Sequence, residues 1–103
     1  NFVTRKKIEG EYIYLSKFKN LKKLDNKIIV IENADPGYDW IFAFKILGLV
    51  TKFGGINSHM AIRCSELSIP AVIGCGEQIF SDIINYQKKQ IFIDCSASLI
   101  YSN

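Results

Sequence analysis

The sequence has no apolar run long enough to cross a bilayer. Its longest, Trp40 to Val50, is broken by Lys45 and falls far short of the roughly 20 residues that a spanning helix needs. No membrane protein is expected. An apolar leader and a cleavage pattern are also missing, and the chain opens Asn1-Phe2-Val3 without an initiator Met; it reads as a piece of a longer polypeptide. Two prolines and seven glycines among 103 residues are too few for a collagen-like or low-complexity chain. Cysteine is scarce as well. Cys64, Cys75 and Cys95 are an odd number and form no Cys-x-x-Cys, which speaks against a disulfide framework and for reduced thiols in a cytoplasmic protein.

What is present is globular in character, with 49% hydrophobic and 22% charged residues. A chain of this length makes one domain and buries about two thirds of its unfolded surface. It is small for an enzyme that must bind two substrates and close over them. The net charge of +3 is unevenly spread: residues 1–27 hold eight Lys/Arg against three Asp/Glu, and the remainder five against seven. A basic segment interleaved with Phe2, Tyr12, Tyr14 and Phe18 could suggest nucleic acid. A solvated strand face beside a Lys-rich connector, Lys17 to Lys27, accounts for it more simply, so no nucleic-acid partner is expected.

Hydrophobic periodicity alternates between strand and helix. Phe2 to Ile8 and Glu11 to Leu15 read as short strands with Gly10 between them, a hairpin. Ile28-Ile29-Val30-Ile31 is a continuous β-branched run, as in a strand buried on both faces. Asp35-Pro36 pairs an N-cap residue with proline at the first helical position. Helical spacing then puts Trp40, Phe44 and Leu47 on one stripe until Gly48 stops the helix. Leu49 to Phe53 resumes as a strand, which makes a βαβ unit with a parallel pair. Gly54-Gly55-Ile56 is a turn, Asn57 or Ser58 caps a helix running to Leu67, and Ile69-Pro70 forbids its continuation. Ala71 to Ile73 is a buried strand, Ile79, Phe80, Ile83 and Ile84 mark a third helix, and Ile91 to Ile93 and Leu99 to Tyr101 close the chain as strands. The fold class is α/β, with a parallel layer from the βαβαβ stretch and an antiparallel portion from the termini.

The single histidine, His59, follows a strand, two glycines and a polar pair, in the first turn of a helix. That is the crevice at the carboxyl end of a parallel strand, where α/β folds place ligands. Free backbone N–H groups at a helix start favour an anion, and Gly54 and Gly55 let backbone approach it closely. The positive end of the helix dipole disfavours imidazolium. Two readings stand side by side on these grounds: a neutral imidazole aimed at a phosphoryl group, or a histidine that helps to cap its helix.

The stretch Gly54-Gly55-Ile56-Asn57-Ser58-His59-Met60-Ala61-Ile62, with Glu66-Leu67-Ser68-Ile69-Pro70-Ala71-Val72-Ile73-Gly74-Cys75-Gly76 in register behind it, resembles the mobile phosphohistidine domain of the phosphoenolpyruvate-utilising enzymes. The family includes phosphoenolpyruvate synthase, pyruvate phosphate dikinase, enzyme I of the sugar phosphotransferase system and the rifampicin phosphotransferases. The strong stretch covers residues 54–76, and a weaker match runs from about Ile28 through Asp94-Cys95. The resemblance implies a three-layer β/β/α swivelling domain. It implies that His59 takes a phosphoryl group, attacking through Nε2, and shuttles it between a nucleotide-binding domain and a phosphoenolpyruvate- or pyruvate-binding domain of the same enzyme. Gly54, Gly55, Asn57, Ser58 and Arg63 would surround the phosphoryl group. ATP and Mg²⁺ would belong to the partner domain, and this chain would bind no cofactor itself. A non-catalytic binding or regulatory module that keeps the swivelling fold is the alternative.

Departures from the family pattern are specific. The residue two before the histidine is commonly Thr and here is Asn57. The pair before Glu-Leu is often Ala-Arg and here is Cys64-Ser65, with the arginine at Arg63. Ser68 stands where Gly is common. Arg63, four residues after His59, shares its helix face and leans back toward it. Cys64 falls nearly opposite His59 on the helix, so no metal site is expected from that pair. Ser58 is read as a cap or a phosphate hydrogen bond, Glu66 as a surface or packing residue, Asp35 as a cap and Trp40 as core.

Overall fold

A computed structural model describes residues 2–15, 24–55, 57–85, 90–95 and 99–102. Most of the Lys-rich connector, and Ile56 of the glycine turn, lie outside the described residues. In chain order the elements are β1 (Phe2–Val3), β2 (Lys7–Tyr14), β3 (Ile28–Asn33), a 3-10 helix (Pro36–Ala43), β4 (Gly48–Phe53), α1 (His59–Glu66), β5 (Ala71–Val72), α2 (Glu77–Asn85), β6 (Gln90–Asp94) and β7 (Leu99–Ser102).

The strands hydrogen-bond in the order β1-β5-β4-β3-β2-β6-β7. β2, β3, β4 and β5 run parallel, whereas β1, β6 and β7 pair antiparallel with their neighbours. β2 is shared between two pairings. Its residues Tyr12 to Tyr14 lie along β3, and Lys7 to Glu11 lie along β6. This is the expected α/β architecture.

Strand alternation sorts the core into two clusters. Ile29, Ile31, Leu49, Ala71 and Ile73 pack on one face, against Met60, Ala61 and Cys64 of α1 and Ile41 of the 3-10 helix. Ile28, Val30, Val50 and Val72 pack on the other, against Phe80 and Ile83 of α2 and Ile91 and Ile93 of β6. The run Ile28 to Ile31 is fully buried because both faces are covered. Each such side chain contributes roughly 1.5–3 kcal/mol relative to exposure, so β3 anchors both clusters.

Four expectations are corrected. The first two segments form no hairpin: β2 runs unbroken through Gly10 and finds its partners in β3 and β6. Gly10 leaves room for packing instead, since a Cβ there would lie 2.6 Å from Leu47 Cδ2 and that side chain would have to shift. The helix after Asp35 is 3-10, not α, and ends at Ala43. Gly37, Tyr38, Asp39, Trp40 and Phe42 are weak helix formers, and the chain beyond is held elsewhere: Lys45 N donates to Asp25 Oδ1 at 2.8 Å, and Leu47 N to Lys27 O at 2.8 Å. Trp40 and Phe44 pack against the first cluster and Leu47 against the second, so the three share no stripe. Gly48 is the first residue of β4 rather than a helix stop; a Cβ there would crowd Ile8 Cδ1 and lie 3.1 Å from Pro70 O.

Candidate phosphoryl-transfer site

β3 and β4 are adjacent and parallel, with Asn33 opposite Phe53, so the segments leaving their carboxyl ends emerge on one edge of the sheet. One of these segments is the 3-10 helix and the other is the Gly54-Gly55 turn into α1. The end of β4 is braced from both sides. Phe53 O accepts from Ala34 N at 3.1 Å and from the Thr51 hydroxyl at 3.0 Å. The same Thr51 oxygen accepts from Gly74 N at 2.9 Å. Thr51 is fully buried, and its hydroxyl bonds two backbone groups at the end of the strand.

The two glycines of the turn differ. Gly54 has φ +136° and is packed so closely that a Cβ would lie 2.6 Å from Ala34 Cβ and 3.2 Å from Ile73 Cγ2. Gly55 has open space where its Cβ would be. Gly54 thus makes the turn possible, and Gly55 leaves the approach to the helix start clear.

Ser58 is the N-cap of α1, its Oγ accepting from Ala61 N at 3.3 Å, so the capping role expected of it holds. His59 is the first residue of the helix, with its side chain 43% exposed. Its Nε2 lies 2.9 Å from Asp39 Oδ1, on the 3-10 helix. Arg63, one turn further along α1, brings Nε within 3.4 Å of the same carboxylate oxygen. That contact is an ion pair rather than a hydrogen bond: Arg63 Nε is buried and makes no hydrogen bond. Arg63 Nη1 reaches Glu66 Oε1 at 3.8 Å, and its guanidinium stands 5.3 Å above the Phe42 ring. The hydrogen bond from His59, helped by the charge of Arg63, holds the Asp39 carboxyl below its ordinary value, so it is a carboxylate at neutral pH.

The structure thus brings His59, Ser58 and Arg63 together, with Gly55 and the exposed Asn57 in the turn leading to them. Asp35 caps the 3-10 helix, its carboxylate accepting from Gly37 N at 2.8 Å. Glu66 is exposed and paired with Arg63. Asp39 is the residue that the sequence reading missed. Nothing local marks it, because it lies twenty positions from His59 and meets it only through the pairing of β3 with β4. Cys64 is buried under α1, and burial pushes its thiol up to about 12; the Cys75 thiol is pushed up to about 11. Neither is a nucleophile at neutral pH. Among the described residues, no group of three His, Cys, Asp or Glu converges to hold a metal ion, and no helix is long and apolar enough to cross a membrane.

An exposed imidazole on a capped helix start, with an arginine one turn away that keeps an unused donor, suits an anion held against a nucleophile. The sequence is similar to known proteins. Residues 23–98 match the family model described as the mobile domain of PEP-utilising enzymes. A rifampicin phosphotransferase of Bacillus cereus is 34% identical over 67 residues, 65% of this chain and 8% of the relative. A probable phosphoenolpyruvate synthase of Staphylothermus marinus is 32% identical over 80 residues, 75% of this chain and 9% of the relative. The phosphoenolpyruvate synthase of Escherichia coli is 42% identical over 50 residues, 48% of this chain and 6% of the relative. The chain therefore spans under a tenth of the length of these relatives. With three quarters of its length matched by the family model, the chain belongs to the mobile-domain family of the PEP-utilising enzymes.

Proposed function

We propose that this chain is the phosphoryl-carrier domain of a larger phosphotransferase of the phosphoenolpyruvate synthase or dikinase kind, with His59 as the phosphorylated residue. The observation that carries the reading is the placement of His59: half-exposed, at a Ser58-capped helix start, with Arg63 Nε beside it lacking a hydrogen bond. A ring nitrogen lone pair attacks the phosphorus of the donor, an N–P bond forms, and the P–O bond to the leaving group breaks with its electron pair passing to that oxygen. The helix N–H groups, the Gly55 backbone, Asn57, Ser58 and Arg63 stabilise the charge on the transferred group. Gly54 supports them by fixing the turn. The donor sits on a nucleotide-binding domain and the acceptor on a phosphoenolpyruvate- or pyruvate-binding domain, both elsewhere in the polypeptide. Mg²⁺ would come with the nucleotide and would neutralise part of its charge there. The carboxylates of this chain near His59 are already engaged with His59 and Arg63, which suits a metal carried by the nucleotide's domain.

The test is His59→Ala in the parent enzyme, followed with labelled phosphoryl donor and by unfolding. Label incorporation should be lost and the fold retained, because a half-exposed residue at a helix start contributes little packing. Acid-labile label in the wild type identifies phosphohistidine. Continued labelling of His59→Ala would refute the carrier role. The 103-residue chain alone should turn over neither nucleotide nor pyruvate, and separated partner domains should restore weak transfer, limited by the lost effective concentration of the linkers.

A further inference from the structure

Asp39 stands where the carrier chemistry would not place it. A carboxylate can only accept, so the 2.9 Å contact with His59 Nε2 puts the ring proton on Nε2 and the lone pair on Nδ1. A ring held that way has no lone pair at Nε2 with which to attack. A phosphorus atom bonded to Nε2 would also occupy the line that the Asp39 hydrogen bond now fills, and its oxygens would meet a second negative charge. Phosphorylation at Nε2 and the Asp39 contact exclude each other.

Arg63 is tied to the same carboxylate. Its Nε lies 3.4 Å from Asp39 Oδ1 yet makes no hydrogen bond among the described residues, so the donor is open to a further acceptor. Both contacts end on one residue of the 3-10 helix, whereas His59 and Arg63 both ride on α1. A single movement of Asp39 therefore releases both.

Resting on the carrier reading above, we propose that Asp39 is a latch on the carrier histidine: it closes Nε2 in the unphosphorylated domain, and when it opens, Arg63 passes from Asp39 to the phosphoryl group. In the open state the ring proton sits on Nδ1 and the Nε2 lone pair is free. The lone pair forms the N–P bond, and the P–O bond to the leaving group breaks as before. The Arg63 Nε–H then donates to a phosphoryl oxygen in a charge-assisted hydrogen bond. Asp39 touches neither donor nor phosphoryl group in that state; it acts through the tautomer and orientation of the ring.

The experiment uses the full-length parent enzyme with labelled phosphoryl donor, rapid quenching, and nitrogen and phosphorus NMR of the His59 ring. The expected wild-type ring carries its proton on Nε2 before transfer and its phosphorus on Nε2 afterwards. Asp39→Asn and Asp39→Ala shift the resting proton toward Nδ1 and incorporate label several-fold faster. Arg63→Ala shortens the lifetime of the phosphorylated form several-fold, and Arg63→Lys restores part of it. Phosphorus on Nδ1, or incorporation no faster than wild type in both Asp39 variants, would overturn the latch. His59→Ala separates the two ideas. If it still takes up label, the carrier reading has failed; if it is silent while the Asp39 variants are no faster, only the latch has.

Discussion

Thr51→Val tests whether the buried hydroxyl holds the strand end that carries the glycine turn. Valine keeps the β-branched shape that β4 needs, so packing is conserved and only the hydrogen bonds are removed. Two are lost: the hydroxyl to Phe53 O at 3.0 Å and Gly74 N to the hydroxyl at 2.9 Å. Phe53 O keeps a partner in Ala34 N, so its loss is small. Gly74 N gives up the Thr51 acceptor at a half-buried position, and stranding a donor costs about 1–3 kcal/mol. The expected destabilisation is about 2 kcal/mol. For a domain of this size each kcal/mol shifts Tm by roughly 4–8 °C, which predicts a fall of about 8–16 °C, measured by thermal unfolding followed by circular dichroism. Thr51→Ser keeps both hydrogen bonds and should lose only the roughly 1 kcal/mol of a buried methyl group. A Thr51→Val protein melting within about 2 °C of wild type, or melting above Thr51→Ser, would refute the reasoning.

Gly54→Ala and Gly55→Ala should behave oppositely: the first meets Ala34 Cβ at 2.6 Å with φ +136° and should cost roughly 2–4 kcal/mol, whereas the second should leave stability unchanged and slow phosphoryl transfer by crowding the approach to His59. Chemical denaturation and single-turnover labelling read the two effects separately. Ser68 sits at φ +57° just past α1, where Ile69 N bonds Cys64 O at 2.8 Å and Ser68 N bonds Ser65 O at 3.2 Å, a Schellman ending that favours glycine. Ser68→Gly should raise stability by about 0.5–1 kcal/mol in urea unfolding. Burial raises the Cys64 and Cys75 thiols to about 12 and about 11, so both should resist alkylation at pH 8 until the protein is unfolded. Their contribution to stability is full below the unfolded thiol value of about 8.5 and should fall as pH rises above it, since only the unfolded chain sheds those protons. Asp39 has the opposite sign: its lowered folded value makes its contribution present above roughly pH 4 and lost as pH falls through the folded value.

Local chemistry alone determined a good part of this molecule. The β-branched run Ile28 to Ile31, the Asp35-Pro36 helix start, the Ser58 cap and the Ile69-Pro70 stop are properties of neighbouring residues, and each holds in the structure. The exposed histidine at a helix start behind two glycines is local in the same way. What only tertiary structure decided is whatever depends on which strands become neighbours. Gly10 reads as a turn until β6 and β3 take up both halves of β2, and its lack of a side chain then makes room for Leu47. The segment after Asp35 carries a helical pattern, but its tail is drawn off by hydrogen bonds to Asp25 and Lys27, so a shorter and tighter helix forms. Asp39 reads as one more surface acid, and it becomes the partner of His59 and Arg63 only because β3 and β4 lie side by side and open on the same edge. Caps, breakers and apolar runs act within a few residues along the chain, whereas a hydrogen bond across twenty residues exists only once the sheet between them has formed.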